Sequence, residues 1–248
     1  MEKDEKITNE NIKENYDFLY KKVITDRAKN YSPFILSFRN EIIKQHFKIS
    51  PLDMLNLDLL YFESLKIDGK LYMGRDALNE AYSLLDKIEA FPDDKFNYYR
   101  DLWMDFQEIE DVRKELKCLS EASFLASKIG RKDEAFALKR DVIALSFRFP
   151  IEEREKVQPS YEELILQFGP IKGKELENYK KEGPSIIYDT IESNPFYIKL
   201  IDKVNMKLHD YFNEHKEEFS EQKYNSLKRK YLKEEGLLWE PPYTSNKA

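Results

Sequence analysis

Few residues in this chain have the types and spacing for chemistry. Arg39 and His46 stand seven positions apart, which on a helix places them about two turns apart on one face. A guanidinium and an imidazole so arranged combine charge stabilisation with proton transfer near neutral pH. The other two of the three histidines, His209 and His215, are six apart, hence on different helix faces, and neither belongs to a Glu-x-x-His or His-Glu-x-x-His motif. The single cysteine, Cys118, lies between Leu116 and Leu119; it reads as a small buried hydrophobe, has no internal disulfide partner and fits a reducing compartment. No metal and no cofactor is expected. Nucleotide-cradling Gly-x-x-x-x-Gly-Lys and Gly-x-Gly-x-x-Gly loops and the Gly-x-Ser-x-Gly elbow are missing from the sequence. The acidic residues Asp105, Glu108, Glu110 and Asp111, near Arg113 and Lys114, read as a solvated face.

Binding, in contrast to catalysis, has candidates. Tyr98, Tyr99, Arg100 and Trp103 form the densest aromatic and basic group, of residue types enriched at interface hot spots, and are read as partner-binding residues. The stripe Phe96, Tyr99, Trp103 and Phe106 fits either a groove or, preferably, a helix–helix seam. Near the C-terminus, Lys223, Lys228, Arg229, Lys230 and Lys233 accompany Tyr224 and Tyr231, a set able to meet phosphates and stack on bases. Glu217, Glu218, Glu221, Glu234 and Glu235 flank them, so a salt-laced amphipathic helix is the expectation.

Helices must carry these groups. Hydrophobic residues make up 41% of the 248, with 16 Tyr and 16 Phe, enough to build a core, while only 7 Gly occur. Ser32-Pro33, Ser50-Pro51, Pro159-Ser160, Gly169-Pro170, Gly183-Pro184 and Asn194-Pro195 read as helix openings, because proline is tolerated in the first turn and Ser or Asn ahead of it can cap. Helices are expected at about 9–29, from Ser32 with Phe34, Phe38, Ile42 and Phe47 on one face, from Ser50 to the turn at Ile67-Asp68-Gly69-Lys70, and at about 75–90, 93–110, 111–129 and 132–149. The helix holding Leu55 to Leu65 is apolar on several sides and so is expected to be central. A capping box at Ser160 to Glu163 opens a more broken stretch, and long helices follow from Asn194 and Ser220. The N-terminal Met1 to Lys6 is charged with no apolar stretch behind it, so no signal peptide is expected, and no window suits a membrane span. The formal charge of −6 argues against broad attraction to nucleic acid or anionic lipid.

Leu125-Ala126-Ser127-Lys128-Ile129-Gly130-Arg131-Lys132-Asp133-Glu134-Ala135 ends one helix on glycine and opens the next on an acidic pair with a small residue at the seam. It resembles the inter-helix turn of tetratricopeptide repeats. An echo lies at Gly74-Arg75-Asp76-Ala77, and both alanines are followed fifteen positions on by a proline, Pro92 and Pro150. The resemblance covers about Pro51 to Pro150 and implies a scaffold that binds proteins or peptides along a concave face. Separately, Arg39-Asn40-Glu41-Ile42-Ile43-Lys44-Gln45-His46 is similar to the Arg-polar-spacer-His signature of HEPN-type ribonucleases, which are all-α and metal-free. That similarity implies that His46 handles a proton while Arg39 steadies a phosphate.

The expectation is an all-α protein, a multi-helix bundle or short α-solenoid with tetratricopeptide-like hairpins. Residues 1–150 form the hairpin array and 151–248 a C-terminal helical extension packed on it, or both form one domain. Its expected function is that of a non-enzymatic, cytoplasmic interaction scaffold for a protein or peptide, with homo-oligomerisation open. An HEPN-like ribonuclease acting as a toxin or defence component is the alternative, and a nucleic-acid-binding regulator the third reading.

Overall fold

The computed structural model describes residues 8 and 11–244; the charged stretch from Met1 to Lys6 and the expected helix start at Asn9 lie outside them. Eleven α-helices account for most of the described residues, and the one sheet is a two-residue antiparallel pair, Ile186 opposite Thr244 and Ile187 opposite Tyr243. The fold is all-α, as the sequence implies. No helix among the described residues is long and apolar enough to cross a membrane. Two compact units divide the chain, the first ending at Glu89 and the second beginning at Ala90. The expected division at 150 thus falls inside the second unit, where the helices after Pro150 pack back on those before it.

The first unit holds α1 (Ile12–Tyr20), α2 (Ser32–Lys44), α3 (Pro51–Ile67) and α4 (Arg75–Leu84). α1 gives way to a π-helical turn at Lys21–Thr25, so the expected helix to residue 29 stops short. Arg27 and Asn30, both at positive φ, make the reversal into α2. α3 is central. Ser50 caps it by accepting from the Asp53 amide at 3.1 Å, and Leu55, Leu57, Leu60, Phe62 and Leu65 are buried around its whole circumference. On α2 the buried stripe is Ile35, Phe38, Arg39 and Ile42, while Phe34 is half-exposed, which corrects the expected face by one position. Arg39 is held between Asp58 of α3 and Glu80 of α4.

The second unit begins with three consecutive helices, α5 (Pro92–Glu108), α6 (Val112–Lys128) and α7 (Lys132–Ser146), joined by connections short enough to force antiparallel neighbours. α5 buries Phe96, Leu102 and Phe106 against α6, the seam that the aromatic stripe suggests. At the next seam Ala122, Ser123, Ala126 and Ala135 are fully buried, and the Ser123 hydroxyl donates to the Ala135 carbonyl at 3.0 Å. Small side chains are what let these two backbones approach. Gly130 ends α6 at φ +86°, and Arg131 behind it stacks on Phe96 at 4.8 Å and pairs with Asp93 at 3.0 Å. The echo at Gly74 is built differently: its φ is −91°, and the glycine is there because a Cβ would stand 2.3 Å from the Phe62 ring.

Then come α8 (Ile151–Val157) and α9 (Tyr161–Glu182). The Ser160–Glu163 capping box is formed in both directions. α9 breaks at Gly169, at φ +79°, and restarts at Pro170, as that dipeptide suggests. Gly183-Pro184 does not open a helix: Gly183 closes α9 at φ +70° and the chain runs extended into β1 (Ile186–Ile187). α10 (Pro195–Glu214) is capped by Asn194 and α11 (Glu221–Glu234) by Ser220. They meet over Ile198, Ile201, Val204, Leu208 and Leu232, with Trp239 from the segment before β2 (Tyr243–Thr244) completing that core.

A buried ionic network joins these C-terminal helices to α5–α7. Glu110, in the α5–α6 turn, accepts from Lys228 of α11 at 2.5 Å and from the Tyr197 hydroxyl of α10 at 2.7 Å. Burial opposes the Glu110 charge, but the Lys228 ammonium and the phenol outweigh it and hold its pKa below the usual carboxylate value. Just past α7, Arg148 binds Glu192 at 2.5 Å, whose other oxygen accepts from the Trp239 indole at 2.8 Å. Glu110 and Asp111 are therefore not part of a solvated face. Asp111 is 5% exposed and caps α6 by accepting from the Lys114 amide.

Two expectations test this fold. Gly130→Val should cost at least about 1 kcal/mol in urea unfolding, because a β-branched residue is disfavoured at positive φ although no atom obstructs its Cβ; an unchanged midpoint would contradict the turn. Lys228→Met keeps bulk but strands the Glu110 carboxylate, and about 3 kcal/mol should be lost, with most of it restored in the Glu110→Gln/Lys228→Met double variant.

Candidate functional site

The second unit has an open groove of about 760 Å³ between α6, α7, α8 and the first half of α9. Its geometry follows from residues that point away from the cores. On α6 the buried face is Leu116, Leu119, Ala122, Ser123 and Ala126, and Phe124 projects off it, 56% exposed. On α9 Leu164 faces inward, so Leu166, two positions on, must face outward; it is 89% exposed. Val157, at the end of α8, adds a third apolar contact.

Around these apolar side chains stand Lys128, Lys139 and Lys156. None of the three forms an ion pair within the described residues. Burial lowers the Lys139 pKa against the weaker opposing pull of Glu163 and Glu121. Glu163, the one carboxylate lining the groove, is engaged in the α9 capping box, accepting from the Ser160 amide at 2.7 Å. Gln167 also lines the groove, and its amide nitrogen is buried with no hydrogen-bond partner. The groove thus offers apolar contact, three cations and an unanswered donor. These groups are chemically complementary to apolar side chains, carboxylates and a hydrogen-bond acceptor.

The residues singled out from sequence lie elsewhere. Tyr99 is 8% exposed and belongs to the interior of α5, and Tyr98 is half-buried. Arg100 pairs with Asp101 at 3.1 Å and lies 5.9 Å over Phe96. Trp103 is half-buried and lines a separate cavity with Tyr179 and Arg148. The four do not form one exposed patch. Arg39 is buried in its pairing with Asp58 and Glu80, whereas His46 is exposed, lies past the end of α2 and has φ +52°. The helix that would have aligned the two ends at Lys44.

The basic set on α11 is largely spent within the fold. Lys228 is buried on Glu110, Lys223 pairs with Glu218 at 3.4 Å, and Arg229 pairs with Glu240. Among the described residues, no three His, Cys, Asp or Glu side chains are grouped as a metal site would need. Cys118 is fully buried, and burial pushes its thiol pKa up, the opposite of an activated nucleophile.

The groove residues were missed because each looks like an ordinary surface residue in sequence. The available signal was phase: Phe124 and Leu166 are large apolar residues out of register with the buried face of their own helices. Comparisons with protein-family models, with curated proteins and with solved structures found no match.

Proposed function

We propose that this protein is a non-enzymatic helical scaffold that binds a protein partner through an acidic amphipathic segment seated in the α6–α9 groove. The observation that carries the reading is the pairing of outward Phe124 and Leu166 with Lys128, Lys139 and Lys156, none of which forms a close ion pair within the described residues. Apolar side chains on one face of an incoming helix would cover Phe124, Leu166 and Val157, and carboxylates at its edges would meet the lysines. Gln167 would donate to an acceptor on the same segment. Association should be fast at low salt and weaken as salt screens the rim charges.

Selection from a displayed library of random 16-residue peptides tests this. Enriched sequences should be acidic, with apolar residues recurring at i, i+3 and i+4. Their affinity should fall at least tenfold for Lys128→Glu/Lys156→Glu and for Leu166→Asp. Those changes lie at exposed positions, so thermal unfolding should stay within about 0.5 kcal/mol of the parent. Enrichment of basic peptides, or binding indifferent to these substitutions, would overturn the reading.

A further inference from the structure

Lys139 differs from the other two cations of the groove. Its neighbours on α7 at i−4, i+3 and i+4 are Ala135, Val142 and Ile143, all buried, so its Cα sits on the inward side of the helix. The stem must then run out along apolar surface to bring the amine to the groove. Lys139 is accordingly half-buried, whereas Lys128, the last residue of α6, and Lys156 of α8 are exposed. Phe124, Val142 and Leu166 line the groove with it. No hydrogen bond or close ion pair holds its ammonium within the described residues.

An ammonium so placed lacks both full hydration and a close counterion, and gives up its proton more readily than an exposed one. Burial is the largest influence and lowers the Lys139 pKa; Glu163 from α9 and Glu121 from α6 pull it back up, but less. Lys128 and Lys156, lining the groove from α6 and α8, supply no counterion. Near neutral pH a larger share of Lys139 than of an exposed lysine is therefore the neutral, nucleophilic amine. Lys114 is lowered likewise, by burial and by neighbouring Lys117, but it lines neither the groove nor the cavity at Trp103.

We propose that Lys139 is a covalent modification site, taking a short acyl group from a thioester donor. The amine nitrogen attacks the thioester carbonyl, and a C–N bond forms as the C–S bond breaks. The sulfur leaves as thiolate, and the proton lost from nitrogen passes to water. The product is a neutral amide whose alkyl end suits the apolar lining. Acylation removes one of the three groove cations and so weakens the hold on an acidic segment. That regulatory effect rests on the proposed function; the chemistry of the amine does not.

Peptide-level mass spectrometry of the full chain exposed to acetyl-coenzyme A tests this lysine by lysine. At about pH 7.5 Lys139 should be acetylated at least about fivefold faster than Lys128, Lys156 or Lys114. The ratio should shrink as the pH rises toward about 10, where exposed lysines also become neutral. Uncharged N,S-diacetylcysteamine should show the same preference, and the chain unfolded in guanidinium chloride should show none. Lys139 reacting no faster than the others, a preference confined to the phosphate-bearing donor, or one that survives unfolding would overturn the proposal. Acetylation, or Lys139→Gln, should then lower affinity for the acidic peptides selected above several-fold, while Lys139→Arg keeps it; equal affinities would overturn the regulatory effect. If the library yields no acidic peptides, the groove reading falls alone, and the acetylation rates still decide the site.

Discussion

Within the second unit, the placement of the C-terminal helices depends on one buried ionic network. Apolar packing is non-directional, and the faces of α10 and α11 would be satisfied in several registers. Lys228, which is buried, and Arg148, which is largely so, admit fewer solutions, since each must find its carboxylate or remain uncompensated. Glu110 is fixed at the α5–α6 turn with φ +57°, a conformation unfavourable for a side-chain-bearing residue, and there it meets Lys228 and Tyr197 together. Glu192 similarly gathers Arg148 and Trp239 from positions far apart in the chain. Such networks contribute little net stability over apolar replacements, but losing one member is costly, so their effect is to select one arrangement. Arg113 extends the pattern from α6, donating to the Ser193 carbonyl at 2.5 Å and pairing with Glu153 of α8 at 2.7 Å.

That arrangement decides which surfaces remain open. The α5–α6 and α6–α7 seams use the small and aromatic residues of the inner faces, leaving the outer side of α6 unpartnered where Phe124 projects. The break at Gly169 turns α9 so that Gly173 lies against the Leu164 and Ile165 backbone, with an ideal Cβ only 3.0 Å from the Ile165 nitrogen. The first half of α9 thereby borders the groove and the second half brings Tyr179 to the cavity. The network's own edge, Glu115 beside Arg148, forms the polar wall of that cavity. Groove and cavity both follow from how the chain resolves its buried charges and from the break in α9.

Much of the architecture was legible because helix boundaries are written in local chemistry. Ser50, Ser160, Asn194 and Ser220 cap the helices they were expected to cap, and Gly130 takes its expected left-handed conformation. Gly183-Pro184 was misread because a glycine that closes a helix and one that precedes a new helix look alike when followed by proline. Glu110 and Lys228 were read as solvent-facing charges and Arg39 as a catalytic candidate, since sequence periodicity reports where apolar residues go and is silent about which charges will be paired inside. The site was less legible for the same reason: an exposed lysine and an exposed phenylalanine acquire meaning only when tertiary packing sets them side by side.

A double-mutant cycle between Arg148 and Glu192, measured by chemical unfolding with Arg148→Met, Glu192→Gln and the combined variant, tests most directly whether the network sets the fold of this unit. Each single change should cost several kcal/mol and the pair should show a coupling of about 2–3 kcal/mol, because Glu192 left alone is buried without its guanidinium and Arg148 left alone keeps only the longer 3.5 Å pairing with Glu115. A coupling below about 0.5 kcal/mol would mean that apolar packing alone places these helices, and would contradict the account.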